Sequence, residues 1–154
     1  MKKEIIVFER MGDFSLYSDI ASVKKLLSDV GSTYTEEVWS NAECTHPVPW
    51  TILRIDAGLV LFFAKDRLFK ICVFDNNDYV LPSGIYTGLS MDEAQRKDPA
   101  LTYNDWDEDW QSTEGYWIED DLETNTVSSI SIFIKEVLDD DIFDTYEWCN
   151  ASLT

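Results

Sequence analysis

Three apolar runs, residues 50–56, 59–65 and 68–74, follow one another with only Ala57-Gly58 and Asp66-Arg67 between them. Two-residue connections join antiparallel neighbours, because a parallel partner is reached only through a crossover of about a dozen residues or more. The stretch reads as a β-meander, although Asp66-Arg67 lacks the glycine that such turns prefer.

The flanking segments supply the rest of a sheet and its helices. Residues 3–8 read as a first strand, and Ile20, Val23, Leu26, Leu27 and Val30 then recur at helical spacing, with Ser18 or Asp19 as cap and Gly31 as stop. The stretch 32–49, which holds Pro47 and Pro49, is irregular apart from a short strand around 35–39. Ser90-Met91-Asp92-Glu93 is a capping box: the Ser90 hydroxyl takes the amide of Glu93, and the Glu93 carboxylate returns to the amide of Ser90. The helix it opens runs over 91–97 and stops at Asp98-Pro99, since the residue before a proline is pushed out of helical geometry. Residues 115–119 and 127–135 read as two more strands, the second with Ile130, Ile132 and Ile134 alternating with Ser129, Ser131 and Phe133. This order predicts an α+β fold: one globular domain over 1–154, an antiparallel sheet, and helices packed on one face.

Charge is distributed unevenly along that fold. Residues 78–154 carry 19 Asp and Glu against Arg96, Lys97 and Lys135, a net of 3 − 19 = −16, whereas residues 1–77 carry 9 − 11 = −2 of the total −18. A concentrated acidic field draws basic partners and speeds their arrival, and it argues against direct binding of nucleic acid. Evenly spread charge would serve solubility alone. Here the acids alternate with large aromatics, as in Asp105-Trp106-Asp107-Glu108-Asp109-Trp110 and Tyr116-Trp117-Ile118-Glu119-Asp120-Asp121. A solvating acidic tail is poor in aromatics, so these stretches read as an acidic binding face. Trp106 and Trp110 would share a face on a helix, either as core anchors or as interface anchors ringed by charge. Asp139-Asp140-Asp141 carries the same ambiguity, with a solvated turn as its plainer reading.

Catalytic and metal signatures are few. Cys44-Thr45-His46-Pro47 places the single histidine near a thiol, but nearness in sequence does not make a dyad. The chain has no nucleophile elbow, no phosphate loop and no dinucleotide fingerprint. Asp105, Asp107 and Asp109 fall at positions 1, 3 and 5 of an EF-hand loop, yet Trp110 and Tyr116 stand where that loop needs glycine and a bidentate glutamate. No catalytic residue, metal or cofactor is expected. Neither a signal-peptide core nor a membrane span is evident, and Cys44, Cys72 and Cys149 lack metal-type spacing. The reading is of a cytoplasmic protein with reduced thiols and no membrane association.

The segment Gly84-Ile85-Tyr86-Thr87-Gly88-Leu89-Ser90-Met91-Asp92-Glu93-Ala94, with Glu114-Gly115-Tyr116-Trp117-Ile118-Glu119-Asp120-Asp121 downstream, is similar to the organisation of bacterial immunity proteins of contact-dependent growth inhibition and related polymorphic toxin systems. The resemblance spans residues 84–135 and implies a small cytoplasmic protein that neutralises a cognate basic toxin domain, often a nuclease acting on transfer RNA, ribosomal RNA or DNA. Binding rather than chemistry would then be the activity. Asp105, Trp106, Asp107, Glu108, Asp109 and Trp110, with Glu119, Asp120 and Asp121, are the expected contact residues. An acidic nucleic-acid mimic that occupies the groove of a host or phage protein is the alternative, and a small enzyme around His46 is a third.

Overall fold

A computed structural model describes residues 2–40 and 48–150. The chain begins with three short strands, β1 (Lys3–Ile6), β2 (Arg10–Met11) and β3 (Phe14–Ser15), followed by helix α1 (Ile20–Asp29) and strand β4 (Tyr34–Trp39). The meander follows as β5 (Trp50–Ile55), β6 (Leu59–Ala64) and β7 (Arg67–Phe74), and then come β8 (Tyr79–Val80) and α2 (Met91–Lys97). A second run of strands, β9 (Thr102–Asn104), β10 (Asp109–Ser112), β11 (Tyr116–Asp121) and β12 (Thr126–Phe133), precedes a short helix α3 (Asp140–Phe143), flanked by 3-10 turns at Lys135–Leu138 and Glu147–Asn150.

Eight of these strands form one antiparallel sheet in the order β4-β5-β6-β7-β12-β11-β10-β9, so the meander and the acidic second half meet where β7 pairs with β12. A smaller sheet, β3-β2-β1-β8, is antiparallel except for the parallel pair β1–β8. The fold is α+β, with one main hydrophobic core on the first face of the large sheet. Leu53, Ile55, Leu59, Leu61, Ile71, Val73, Ile118, Ile130 and Ile132 supply that face, and Val23 and Leu27 of α1 and Met91 and Ala94 of α2 pack into the same core. The helix is capped by Asp19, whose carboxylate accepts from the amide of Ser22 at 2.9 Å, and Gly31 leaves it with φ of 71°.

Three details differ from the sequence reading, each for a local reason. The second meander turn is Lys65-Asp66, one residue earlier than expected, with φ of 47° and 66°. Arg67 is thereby freed for the strand, where its guanidinium donates to the carbonyls of Tyr17 and Cys149, both at 3.3 Å. Only half of the capping box forms: the Ser90 hydroxyl accepts from the amide of Glu93 at 3.1 Å, but the Glu93 carboxylate turns to Arg96 at 2.5 Å. A cation three residues along the helix outcompetes the neutral Ser90 amide. In β12 the expected alternation carries no solvent face: Ser129, Ser131 and Phe133 are as buried as Ile130 and Ile132. Both faces of the sheet are covered at this central strand.

Candidate functional site

The second face of the large sheet holds the residues of interest. Ladder register aligns Thr102, Gln111, Trp117, Ser131, Cys72, Val60, Arg54 and Thr35 in one row across all eight strands. The adjacent row contains Phe133, Lys70, Phe62, Ile52 and Glu37. Small side chains line the bottom of this face, where the Ser131 hydroxyl donates to the Cys72 sulfur at 3.0 Å, and larger ones stand over them. Trp117 packs on Phe133 with ring centroids 4.3 Å apart. Burial raises the pKa of the Cys72 thiol, leaving an inert core group rather than a nucleophile.

Two walls rise from this floor. One is the β9–β10 hairpin, whose turn at 105–108 is built by Asn104: its side-chain oxygen accepts from the amides of Trp106 and Asp107, both at 2.9 Å. Glu108 completes the turn in the left-handed region, with φ of 56°. The Gln111 carboxamide donates to Asp107 and Asp109, both at 3.0 Å, and so sets these two carboxylates side by side. The other wall is the C-terminal segment. A bulge in β7 at Phe69 lets that ring meet Phe143 (5.3 Å) and Trp148 (5.8 Å), while the Trp50 indole donates to the Tyr146 hydroxyl at 3.2 Å. Asp139 caps α3 by accepting from the amide of Asp141 at 3.0 Å.

Between the walls lies a cleft of about 530 Å³, with Trp50, Phe69, Lys70 and Trp117 at its base. Trp106 and Asp107 edge it on the hairpin side, and Leu138, Asp140 and Asp144 on the C-terminal side. Asp107 on one side and Asp140 and Asp144 on the other, far apart in sequence, thus border one concavity. The volume falls within the range of about 300–1,000 Å³ typical of binding pockets.

The expected contact residues separate in this geometry. Asp105, Asp107 and Glu108 are exposed in the hairpin turn, and Trp106 is 93% exposed, a large apolar ring held in water. Asp109 is half-buried on the cleft face, and its pKa is raised, first by burial and then by the nearby charges of Asp107 and Glu119. Trp110 leaves the group: the strand period turns it to the opposite face, where it pairs edge-on with Tyr103 at 5.4 Å and packs against the main core. Glu119 stays on the cleft face, its carboxylate accepting from the Ser129 hydroxyl at 3.2 Å. Beyond it a bulge between Glu119 and Asp120 breaks the register, and Asp121 is spent on the β11–β12 turn, accepting from the amide of Glu123 at 2.9 Å. The stretch 105–116 is a hairpin with a strand following it, not a continuous ligand loop, and no cluster of metal-ligating side chains occurs among the described residues. Cys44 and His46 lie outside the described residues.

Sequence reasoning missed Lys70, and it singled out Asp139, Asp140 and Asp141 without the aromatic wall of Phe143 and Trp148 beside them. Lys70 lies in an apolar run and its neighbours arrive from other strands, so only the strand pairing places its ammonium 5.0 Å over the Phe62 ring and 5.4 Å over the Trp117 ring. No helix among the described residues is long and apolar enough to cross a membrane. Neither a family model, nor a curated protein, nor a solved structure matches this chain.

Proposed function

We propose that this protein is an immunity-type inhibitor: a cytoplasmic protein that binds a basic toxin domain, a nuclease foremost, and blocks it by stoichiometric docking rather than by chemistry. The observation that carries this reading is the pairing of an acidic rim with an aromatic floor in one cleft. Asp107, Asp140 and Asp144 border it, and Trp50, Phe69, Trp106 and Trp117 line it. Charge of this kind steers a basic partner to the site, and desolvated rings supply the affinity that rim charges do not. A surface that holds phosphates is electropositive, so a nuclease presents the complementary face.

The test is to read the adjoining reading frames for a basic C-terminal domain and to co-express such a domain with this protein. That domain should arrest growth by itself, and this protein should restore growth while forming a one-to-one complex. Growth arrest that persists beside a folded protein would overturn the proposal. Binding of comparable strength to several unrelated basic proteins would point instead to a nucleic-acid mimic.

A further inference from the structure

Lys70 is out of place in this cleft. It is half-buried at the base of a concavity bordered by acids, yet among the described residues it makes no ion pair and no hydrogen bond. Asp109 and Glu119 share its face, and Asp109 feels its charge, but neither carboxylate pairs with it directly: Asp109 accepts from Gln111 and Glu119 from Ser129. Among the described residues its ammonium lies over the faces of Phe62 and Trp117, which fix it in position without forming an ion pair.

A uniformly basic surface would meet one unfavourable contact here. Its cations would meet the rim favourably, but the one nearest the floor would be pressed against an unneutralised ammonium in a partly desolvated site, where like charges repel most strongly. A complementary occupant has the inverse pattern, with cations outside and one anion at the centre. We infer that the segment entering the cleft is a basic loop carrying a single carboxylate between its cations, and that this carboxylate pairs with Lys70 while the flanking cations pair with Asp107 and with Asp140 or Asp144. The inference rests on the cleft being a docking site for a basic protein. It adds that Lys70, rather than a surrounding acid, sets specificity, because it rejects basic segments that lack the carboxylate.

Two peptide probes test this, Ac-Arg-Gly-Glu-Gly-Arg-amide and its Gln counterpart, titrated at low ionic strength against the intact protein. Quenching of tryptophan fluorescence is the readout, since Trp50, Trp106 and Trp117 line the cleft. The Glu peptide should bind roughly tenfold more tightly than the Gln peptide, as expected for a hydrogen bond to a charged group. Lys70→Met keeps the aliphatic contact with the rings and should abolish that preference without weakening the Gln peptide, and Lys70→Arg should restore it. Equal affinity of the two peptides for the unaltered protein would overturn the role of Lys70 while leaving basic docking intact. If neither peptide binds, and a tetra-arginine peptide does not bind either, the docking reading fails together with the inference.

Discussion

The Tyr116 hydroxyl donates to the carboxylate of Asp98, a group only 6% exposed that also accepts from the Ser112 hydroxyl and from the Ala100 amide at 3.0 Å. Asp98 ends α2, and Ser112 and Tyr116 belong to β10 and β11, so this buried carboxylate fastens the helix to the strands behind the cleft. Burial pushes its pKa up, but the donors from Ser112, Tyr116 and Ala100 prevail and hold it below its ordinary value. A depressed folded-state pKa stabilises above the unfolded value and is lost as pH falls through the folded one. Asp98→Asn should therefore lower stability by roughly 1–3 kcal/mol near neutrality. The deficit relative to the parent protein should shrink as pH falls below about 4, the unperturbed Asp value. Denaturant unfolding of both proteins across pH 2–7 checks this, and a deficit constant with pH would contradict it.

Trp106 and Trp110 should respond oppositely to truncation. Trp106→Ala removes a ring that is 93% exposed, so stability should change by less than about 0.5 kcal/mol, while complex formation loses about 2 kcal/mol or more. Trp110→Ala opens the edge of the core and should cost roughly 2 kcal/mol or more of stability. The Trp110 indole N–H is buried without an acceptor among the described residues, so Trp110→Phe discards a donor that gains nothing and should be much milder. Thermal melts and dissociation rates measured on all three variants separate the two roles.

The acidic hairpin should reveal itself through kinetics. Reversing Asp107, Glu108 and Asp109 to Lys should slow association with a basic partner about tenfold or more at low salt and flatten the salt dependence, since long-range steering is lost. Asp109 separates function from folding most cleanly. Its carboxylate is held at a raised pKa by burial and by Asp107 and Glu119, so Asp109→Asn should stabilise the fold at neutral pH while slowing association. Rapid-mixing association rates set beside unfolding midpoints give the answer, and an unchanged association rate in the triple variant would return the stretch to ordinary solvated surface.

How far the sequence disclosed this architecture depends on the range of the interaction involved. The meander, α1 with its Asp19 cap and Gly31 exit, the Ser90 cap, β11 and β12 were legible, because periodicity and turn chemistry act over a few residues, whereas the short strands β8, β9 and β10 were not. The acidic and aromatic stretch at 105–110 was legible as composition but not as geometry. A helical spacing of four suggested a shared face for Trp106 and Trp110, and the hairpin separates them through the turn that Asn104 closes. Lys70 was illegible, since Trp117 of β11, one of its two ring partners, reaches it only through the pairing of β12 with β7, strands far apart in sequence. The same holds for the cleft, whose second wall follows from the Phe69 bulge meeting Phe143 and Trp148.

The Lys65-Asp66 turn offers a final test that concerns folding alone. Both residues hold a left-handed backbone, with φ of 47° and 66°, which most L-residues adopt at a cost of roughly 1–2 kcal/mol each, asparagine and aspartate at less and glycine at none. The sequence tolerates this because the neighbours require the register: Arg67 donates to Tyr17 and Cys149, and the Asp66 carbonyl accepts the amide of Ile20 at 2.9 Å, tying the turn to the start of α1. Gly at position 66 would relieve the strain without touching either backbone contact. Asp66→Gly should therefore raise stability by about 0.5–1 kcal/mol despite the greater freedom of glycine in the unfolded chain. Lys65→Asn in addition should raise it further. Moving the glycine one position on, as Arg67→Gly, should instead destabilise, because it deletes the guanidinium contacts and places glycine inside a strand. Urea unfolding of the three variants distinguishes these outcomes: stabilisation by Arg67→Gly rather than by Asp66→Gly would place the turn at 66–67 and shift the register of β7 against β6.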